Sequence, residues 1–387
     1  MSTNTELPSR ADVVVIGGGV IGLSAAHWLA GGAGLDTVLV DQGSFGAGST
    51  CKAAGGVREQ FSDEVNIRLA QRSLEVFENF SPLFGVDIDL HQVGYLFLLD
   101  RDEDVAEFEA AVALQNSLGV GSRMIDPAEA RRLSPLISTE GLLAAAWNER
   151  DGHCTPESVV QGYARSARCR GATLLSGCGA VGAEVEDGRI RAVLTQAGRI
   201  ETERVVCAAG AWSAEVARWF GVDLPVEPLR RQIVTTGPVG GRSGPTPFTI
   251  DFSSSFYFHD EGEGLLVGMS DRTETVGFKL GRDDAWLGGL SDAIARRAPA
   301  LSDVDVRAGW AGLYEMTPDH NGLVGVSDEV PGLVYATGFS GHGFLMGPAV
   351  GEVVAALVKG EDPPVDVSAL DVRRFGAGEL QREKHIV

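Results

Sequence analysis

Basic residues are scarce in this 387-residue sequence, which has 32 Lys and Arg against 53 Asp and Glu and a net charge of −21. Nucleic acids and anionic membrane surfaces repel such a protein, so we expect neither as a partner; the charge itself serves solubility. No apolar run approaches the roughly 20 residues that span a bilayer. The polar segment 1–10 lacks the basic, then apolar, pattern of a secretory signal. We therefore expect a cytoplasmic protein without a membrane span.

Regularly spaced cysteines are also lacking. The five cysteines are odd in number and form no C-x-x-C motif. A disulfide framework needs paired cysteines, and a zinc site needs closely spaced ligands. We therefore expect free thiols in a reducing compartment and no bound metal. Internal repeats are absent too, and the length suits two domains better than one.

The most informative segment that is present is a glycine-rich turn between an apolar strand at 13–16 and a helix. Gly17, Gly19 and Gly22 form the motif G-x-G-x-x-G. One glycine permits the turn, one lets the backbone approach a pyrophosphate, and one lets the helix pack on the strand. The N-terminus of the helix offers N–H groups and partial positive charge to the same pyrophosphate.

An acidic residue strengthens the prediction of a dinucleotide site. A second strand at 37–40 ends in Asp41, nineteen positions after Gly22 (41 minus 22). An acidic side chain about 20 positions beyond the glycines is expected to bind a ribose hydroxyl. The alternative is a plain βαβ unit that binds no ligand.

The loop at 42–58 is long, rich in glycine and small residues, and placed where a nucleotide would extend. Small residues let a flat ring lie against the backbone, Ser49 and Thr50 can donate to phosphate, and Lys52 adds positive charge. Arg58 stands at the far end of the loop, where its planar fork could meet a substrate carboxylate. A surface salt bridge is the alternative for Arg58.

Two later segments repeat the order of strand, small-residue loop and helix. In the first, at 204–213, Ser213 is predicted to cap the helix. In the second, a strand at 333–337 leads into the glycine-rich loop 338–347, and Pro348 is predicted to begin the helix. A helix N-terminus that faces a flavin ring would stabilise the negative charge of the reduced ring.

The segments between these motifs have a different pattern. A helix that Ser62 is predicted to cap is followed by a strand at 92–100, and residues 225–310 alternate as short antiparallel strands. Tyr257 and His259 share one face of a strand. We interpret His259 as a core residue, whereas Tyr257 is either a substrate contact or part of an aromatic core.

Together, the opening glycines with Asp41, the segment Cys207–Ser213, the sequence Met316–Asp319 and the loop Gly338–Gly351 resemble D-amino-acid-oxidase-type flavoenzymes. The resemblance is to the glycine and sarcosine oxidase branch, above all to sarcosine oxidase β-subunits and β-type proline dehydrogenases. Four motifs in the same order cover nearly the whole chain.

The resemblance implies an α/β fold, α+β overall, with two domains. A Rossmann-like FAD-binding domain would be built from the discontinuous segments 1–85, 151–222 and 311–387. A substrate domain with a mixed, largely antiparallel sheet would comprise 86–150 and 223–310.

The predicted cofactor is FAD, and its contacts combine the residue patterns with the resemblance, which adds Val181 on the adenine side and the loop from Gly338 onward. The predicted contacts are Gly17, Gly19, Val20, Ile21, Gly22, Asp41, Gln42, Gly48, Ser49, Thr50, Lys52, Ala53, Ala54, Gly55, Gly56, Val181, Ala209, Gly210, Trp212, Gly338, Ser340, Gly341, His342, Gly343, Phe344 and Leu345.

The sequence departs from the resembled enzymes at positions that affect the flavin. Gly312 replaces the cysteine that holds flavin covalently in monomeric sarcosine oxidases, and Pro156 replaces the histidine that carries FMN in β-subunits. We therefore expect non-covalent FAD, and we interpret Cys51 as a packed thiol. Leu266 replaces an oxygen-activating lysine, and Leu345 replaces the lysine of a G-H-G-F-K loop, which favours a dehydrogenase or an oxidase that uses another group.

The resemblance implies oxidation of the C–N bond of an amino acid or secondary amine, similar to sarcosine, proline or glycine, to an imine that water hydrolyses. Arg58 would hold a carboxylate, Tyr257 would orient the substrate, and His342 would lie beside the flavin as the candidate base. The alternative for His342 is a loop histidine anchored to the backbone. Electrons would pass to O2 or another acceptor.

Two other functions remain open at this point. The same scaffold could oxidise a 2-hydroxy acid, since hydride can also leave a carbon that bears a hydroxyl group. The chain could instead be the flavin-bearing β-subunit of a multi-subunit amine dehydrogenase, with a partner subunit, or a homo-oligomer.

Overall fold

The structure is a computed structural model that describes residues 7–32, 34–240, 244–376 and 380–386. Residues 1–6 of the predicted polar start lie outside this part of the chain. None of the helices formed by the described residues has the length and apolar character needed to cross a membrane.

The described residues form nine α-helices. They are α1 Val20–Gly32, α2 Glu64–Glu78, α3 Phe80–Phe84, α4 Asp102–Ser117, α5 Pro127–Leu133, α6 Pro156–Cys169, α7 Ser213–Arg218, α8 Leu287–Arg297 and α9 Gly343–Lys359.

The same residues form nineteen strands. They are β1 Val13–Ile16, β2 Thr37–Val40, β3 Gly56–Val57, β4 Tyr95–Leu99, β5 Arg123–Ile125, β6 Ala144–Asn148, β7 Gly152–His153, β8 Thr173–Leu175, β9 Ala180–Glu186, β10 Arg189–Thr195, β11 Gly198–Glu201, β12 Val205–Cys207, β13 Glu227–Thr236, β14 Phe248–Asp251, β15 Phe256–Glu261, β16 Gly264–Met269, β17 Val306–Met316, β18 Leu323–Val326 and β19 Leu333–Thr337.

A six-stranded sheet in the order β18-β19-β12-β1-β2-β8 forms the centre of the fold. All neighbours are parallel except β18 and β19. Val13 and Val15 face a core shared with α1, α2, α6 and α9, whereas Val14 and Ile16 face the three-stranded sheet of β9, β10 and β11. Strands buried on both faces explain the unbroken apolar runs in the sequence.

An eight-stranded sheet in the order β17-β13-β16-β15-β14-β4-β6-β5 forms the second layer. Its neighbours are antiparallel except β4 and β14. One face packs on α8, and the other carries aromatic residues, among them Tyr95, Phe248 and Tyr257. The predicted α/β class with a mixed, largely antiparallel second sheet is confirmed.

The predicted domain division itself stays a prediction. The six-stranded sheet takes its strands from residues 13–40, 173–175, 205–207 and 323–337, in agreement with a discontinuous domain. However, β17 crosses the predicted boundary at residue 311 and belongs to the eight-stranded sheet as far as Met316.

Three predicted helix starts are corrected by the structure. Asp63, not Ser62, caps α2, because its carboxylate accepts the N–H of Asn66 at 2.9 Å. Ser213 is the first residue of α7 rather than its cap, because a 3-10 turn precedes the helix. Pro348 lies inside α9, which begins at Gly343, since packing of the buried first turns outweighs the lost hydrogen bond.

Candidate active site

A cavity of about 580 Å³ lies between the carboxyl ends of β1, β2 and β12 and the aromatic face of the eight-stranded sheet. Parallel sheets bind ligands at this edge, where the strand order reverses. The predicted site residues that line the cavity are Gly17, Gly19, Val20, Ile21, Asp41, Gln42, Gly48, Ser49, Thr50, Lys52, Ala53, Ala54, Gly55, Gly56, Arg58, Ala209, Gly210, Trp212, Tyr257, Gly341, His342, Gly343, Phe344 and Leu345.

Four predicted contacts do not line the cavity. The side chain of Val181 on β9 is 54% exposed, and its neighbour Ala180 lines the cavity; the contact of Val181 with adenine stays a prediction. Gly22 lies in α1 behind the residues that line the cavity, and a Cβ there would come within 1.9 Å of the Gly17 oxygen. Gly338 and Ser340 shape the second glycine loop from behind the cavity.

The first glycine turn leaves no room for side chains. Gly17 has a φ of +111°, and a Cβ there would lie 2.2 Å from the oxygen of Ala208 at the end of β12. The hydroxyl of Thr50 accepts the N–H of Val20 at 3.1 Å and so caps the N-terminus of α1. A pyrophosphate fits here because the backbone is bare and the positive end of α1 opens on the cavity.

Asp41 is held by the backbone at the end of β2. Its carboxylate accepts the N–H of Gly18 at 2.6 Å and of Gly43 at 2.7 Å. Burial raises the pKa of Asp41, and the two N–H groups oppose that shift. The carboxylate is therefore oriented before any ligand binds, with lone pairs left for ribose hydroxyls.

The loop at 47–56 is fixed by contacts to the eight-stranded sheet. Ser49 donates to the oxygen of Leu313 at 2.7 Å, and Trp310 donates to the oxygen of Lys52 at 3.1 Å. The ring of His259 lies 2.9 Å from the oxygen of Ala54. His259 is thus buried and bound to the backbone, as its interpretation as a core residue requires.

Covalent attachment of a flavin at the two nearby candidate positions has no geometric support. A Cβ on Gly312 would lie 3.0 Å from the Cβ of Lys52, so a cysteine there would need the loop to shift. Burial raises the pKa of the Cys51 thiol to about 11, which keeps it protonated and unreactive. Non-covalent FAD stays the prediction.

The second glycine loop is organised by Glu315, a residue that the motif analysis missed. Its carboxylate accepts from the Thr337 hydroxyl at 2.8 Å and from the N–H of Gly338 at 3.0 Å. Burial raises the pKa of Glu315. The only sequence signal was its position beside Met316–Asp319. By fixing the loop, Glu315 aims the N-terminus of α9 at the cavity.

His342 lies at this N-terminus and is 2% exposed. Neither ring nitrogen has a hydrogen-bond partner among the described residues, so the alternative of a backbone-anchored histidine is wrong. Burial lowers the pKa of His342 to about 3, and the charge of Arg58 acts in the same direction. A neutral imidazole thus lines the cavity.

Arg58 is buried, which excludes the surface salt bridge. Its guanidinium donates to the backbone oxygens of Gln60 and His385, the latter at 2.7 Å, and lies 4.0 Å from the centroid of the Phe61 ring. This contact brings the segment 383–386 to the site, and Ile386 lines the cavity. The chain separation of 327 residues gave no sequence signal for it.

Three tyrosines face the cavity from the eight-stranded sheet. Phe248 stacks with Tyr95 at 4.2 Å and with Tyr257 at 5.6 Å between ring centroids, and Tyr314 lines the cavity from β17. Burial raises the pKa of Tyr257 well above its usual value, with Tyr314 and Tyr95 adding to the shift. The phenols therefore remain protonated and can donate hydrogen bonds to a ligand.

Comparisons with known proteins agree with this geometry. The family described as "DAO: FAD dependent oxidoreductase" matches residues 12–357. FAD-dependent oxidoreductase domain-containing protein 1 of Xenopus laevis is 32% identical over 434 residues, which cover 98% of this chain and 85% of that protein. Mitochondrial sarcosine dehydrogenase of Mus musculus is 29% identical over 390 residues, which cover 95% of this chain but only 42% of that protein.

A solved structure is similar over the whole fold. L-proline dehydrogenase from P. horikoshii is 36% identical with a TM-score of 0.90, and the match covers 97% of this chain and 100% of that chain. The described residues contain no group of three or more His, Cys, Asp or Glu side chains that could hold a metal ion.

Proposed function

Because the chain belongs to the DAO family of FAD-dependent oxidoreductases, we propose that it oxidises the C–N bond of an amino acid or a secondary amine. The product would be an imine, which water hydrolyses. The single observation that carries this proposal is one continuous cavity in which bare glycine turns at one end meet cationic and phenolic side chains at the other.

The glycine-lined end of the cavity would hold the cofactor. Backbone N–H groups at Gly17, Gly19 and the start of α1 would bind the pyrophosphate, and Asp41 would bind the ribose. The loop at 48–56 and the N-terminus of α9 would flank the ring, where the helix dipole favours negative charge. Bound FAD supplies a hydride acceptor at ring N5.

The other end of the cavity has the chemistry of an amino-acid site. Two guanidinium groups, on Arg58 and Arg231, line it together with Tyr257 and Tyr314. A guanidinium binds a carboxylate in a planar, bidentate fashion, and the phenols add hydrogen bonds that orient the ligand. These residues would place the α-carbon of the substrate against the flavin ring.

His342 would take part in deprotonating the substrate. Hydride cannot leave the α-carbon until the substrate nitrogen has lost its ammonium proton. The neutral imidazole of His342 presents unpartnered nitrogens to the cavity, which would accept a hydrogen bond from that nitrogen. Leu266, which replaces the oxygen-activating lysine of the resembled oxidases, is buried and puts no charge at that position. We therefore propose a dehydrogenase that passes electrons to an acceptor other than O2.

The test is anaerobic reduction of the FAD-loaded protein by a panel of D- and L-amino acids, N-methyl amino acids and cyclic imino acids. We expect at least one to bleach the absorbance of the oxidised flavin near 450 nm. Bleaching by 2-hydroxy acids alone would replace the proposal with hydroxy-acid oxidation. Reduction by amino acids only after a second, co-purified chain is added would support the β-subunit alternative.

A further inference from the structure

Two consecutive arginines on β13 lie in opposite environments. Side chains alternate between the faces of a strand, so Arg230 and Arg231 point to opposite sides of the eight-stranded sheet. Arg230 is fully paired: it contacts Glu274 at 2.6 Å and Asp283 at 3.1 Å, and it donates to the oxygen of Gly281 at 2.9 Å.

Arg231 lines the cavity with a very different set of contacts. Its Nη1 donates to the backbone oxygen of Arg230 at 3.1 Å, and its Nε has no partner among the described residues. The guanidinium carbon lies 5.3 Å from the centroid of the Tyr314 ring. No carboxylate of the described residues lies within ion-pair distance of this side chain, and Glu274 and Asp271 act on its charge only from farther away.

The buried guanidinium of Arg231 has no carboxylate countercharge in contact with it among the described residues. Burial lowers the pKa of Arg231, which shows that the site costs the charged form free energy, yet a guanidinium remains charged in proteins. A ligand carboxylate would supply the missing countercharge and two planar hydrogen bonds.

Arg58, the other cation of the cavity, is already engaged. Its donors hold the backbone of Gln60 and His385, its face covers Phe61, and its charge lowers the pKa of the Tyr95 phenol against the larger effect of burial. Arg58 thus ties the segment 383–386 to the cavity wall, which makes it a positioning residue.

We propose that Arg231 is the residue that receives the substrate carboxylate and therefore selects amino or imino acids with a free carboxylate over simple amines. This inference rests on the proposed function and assigns the substrate class to it. Tyr257 and Tyr314, which line the cavity beside Arg231, would flank the bound carboxylate.

The test measures binding without turnover. Cyclopentanecarboxylate, which has no amine for the flavin to oxidise, and its uncharged amide are titrated into the FAD-loaded protein, and the shift in the flavin absorbance gives each Kd. For Arg231→Met we expect the Kd of the carboxylate to rise about 100-fold, with the Kd of the amide changed less than threefold. Arg231→Lys should give an intermediate loss, because the charge stays but the fork is lost.

Arg230→Lys is the matched control for Arg231→Lys, since it makes the same exchange on the opposite face of the sheet, and it should bind both probes as the wild type does. FAD content and the flavin spectrum verify that each variant is folded. The inference would be overturned if Arg231→Met bound the carboxylate with the same Kd as the wild type. It would also be overturned if only Arg58→Met lost affinity for the carboxylate and kept its affinity for the amide. If amino acids reduce the wild-type flavin in either of these cases, the proposed function stands; if none does and the carboxylate does not bind, both fail.

Discussion

At the scale of single residues, the protonation state of His342 decides how the reaction depends on pH. Its pKa, lowered to about 3 by burial and by the charge of Arg58, leaves the ring neutral at every pH above 4. His342 therefore does not titrate between pH 6 and 10, and the substrate ammonium is the group that loses a proton there.

We predict that the rate constant of anaerobic flavin reduction at low substrate concentration rises with pH to a plateau set by the pKa of the substrate amine. His342→Gln should lower the rate about 10-fold at all pH values, because the neutral ring that would accept a hydrogen bond from the substrate nitrogen is lost, and leave the apparent pKa unchanged. Stopped-flow absorbance measures both quantities. An apparent pKa near 6.5 that is present in the wild type and missing in His342→Gln would contradict the assignment.

The two arginines show what the sequence can and cannot reveal about single residues. Arg58 was predictable because it ends a loop that continues the dinucleotide motif. Its hydrogen bond to the backbone oxygen of His385 could not be predicted, because a contact across 327 positions leaves no local pattern in the sequence. Arg231 was missed because Arg230 beside it is also charged, so the period-two pattern that marks the two faces of a strand is hidden.

At the scale of elements, the close approach of α1 and α9 positions both glycine turns against the cavity. A Cβ on Gly351 would lie 2.1 Å from the Oγ of Ser24, and a Cβ on Gly347 would lie 2.5 Å from the Cγ2 of Val20. The glycines of α9 therefore let the two helices touch, although glycine is a poor helix former.

We predict that Gly347→Ala destabilises the FAD-loaded protein by about 1–3 kcal/mol, because the added methyl group overpacks the interface with Val20. In the Gly347→Ala background, Val20→Ala should restore part of the loss, with a coupling free energy of about 1 kcal/mol. Thermal unfolding of the four proteins of this double-mutant cycle measures both values.

Gly288→Ala in α8 is the control for this prediction, since a Cβ there meets open space and should not destabilise. Additive effects of Gly347→Ala and Val20→Ala would show that the two side chains do not share the contact. Equal destabilisation in Gly288→Ala would show that the loss comes from the backbone and not from packing.

Elements were predictable where local chemistry decides them. The strand-turn-helix at 13–32 follows from apolar runs and glycines, and α5 follows from Asp126, whose carboxylate caps it at 2.8 Å. The start of α9 was not predictable. By local rules alone Pro348 is a favourable first residue, whereas burial of the preceding turn against α2 decides where the helix begins.

At the scale of the whole molecule, the site exists only when segments far apart in the chain meet. The six-stranded sheet supplies the cofactor end and the eight-stranded sheet the aromatic end. The order of the motifs was enough to predict the cofactor and the fold class. The sequence could not predict which face of the eight-stranded sheet covers the cavity, because both faces are apolar and buried.

Buried histidines make the stability of the whole fold sensitive to acid. Burial lowers the pKa of His27 and His259 to about 4 and of His153, His342 and His385 to about 3. An unfolded histidine titrates near 6.5, so the unfolded state takes up protons first as the pH falls. The contribution of these neutral rings to the free energy of unfolding is therefore fully present above pH 6.5 and is lost progressively as the pH falls below that value.

Buried carboxyls, among them Asp41 and Glu315, act in the opposite direction. Burial raises the pKa of Asp151 to about 8, and burial beside Asp63 raises that of Glu383. Their contribution is complete below the unfolded values near 4 and is lost as the pH rises through the raised values. We predict that the loss from the histidines exceeds the gain from the carboxyls on acidification, which places the maximum of stability near pH 6 to 7.

We predict that the urea concentration at half-unfolding falls steeply from pH 6 to pH 4, with each fully shifted histidine costing up to about 2 kcal/mol at pH 5. His385→Phe should flatten this fall, because the ring stacks on Phe108 at 3.9 Å and neither nitrogen has a hydrogen-bond partner among the described residues. A wild-type slope in His385→Phe would show that burial of His385 does not couple its protonation to folding, and a stability that increases from pH 6 to pH 4 would show that the carboxyls dominate.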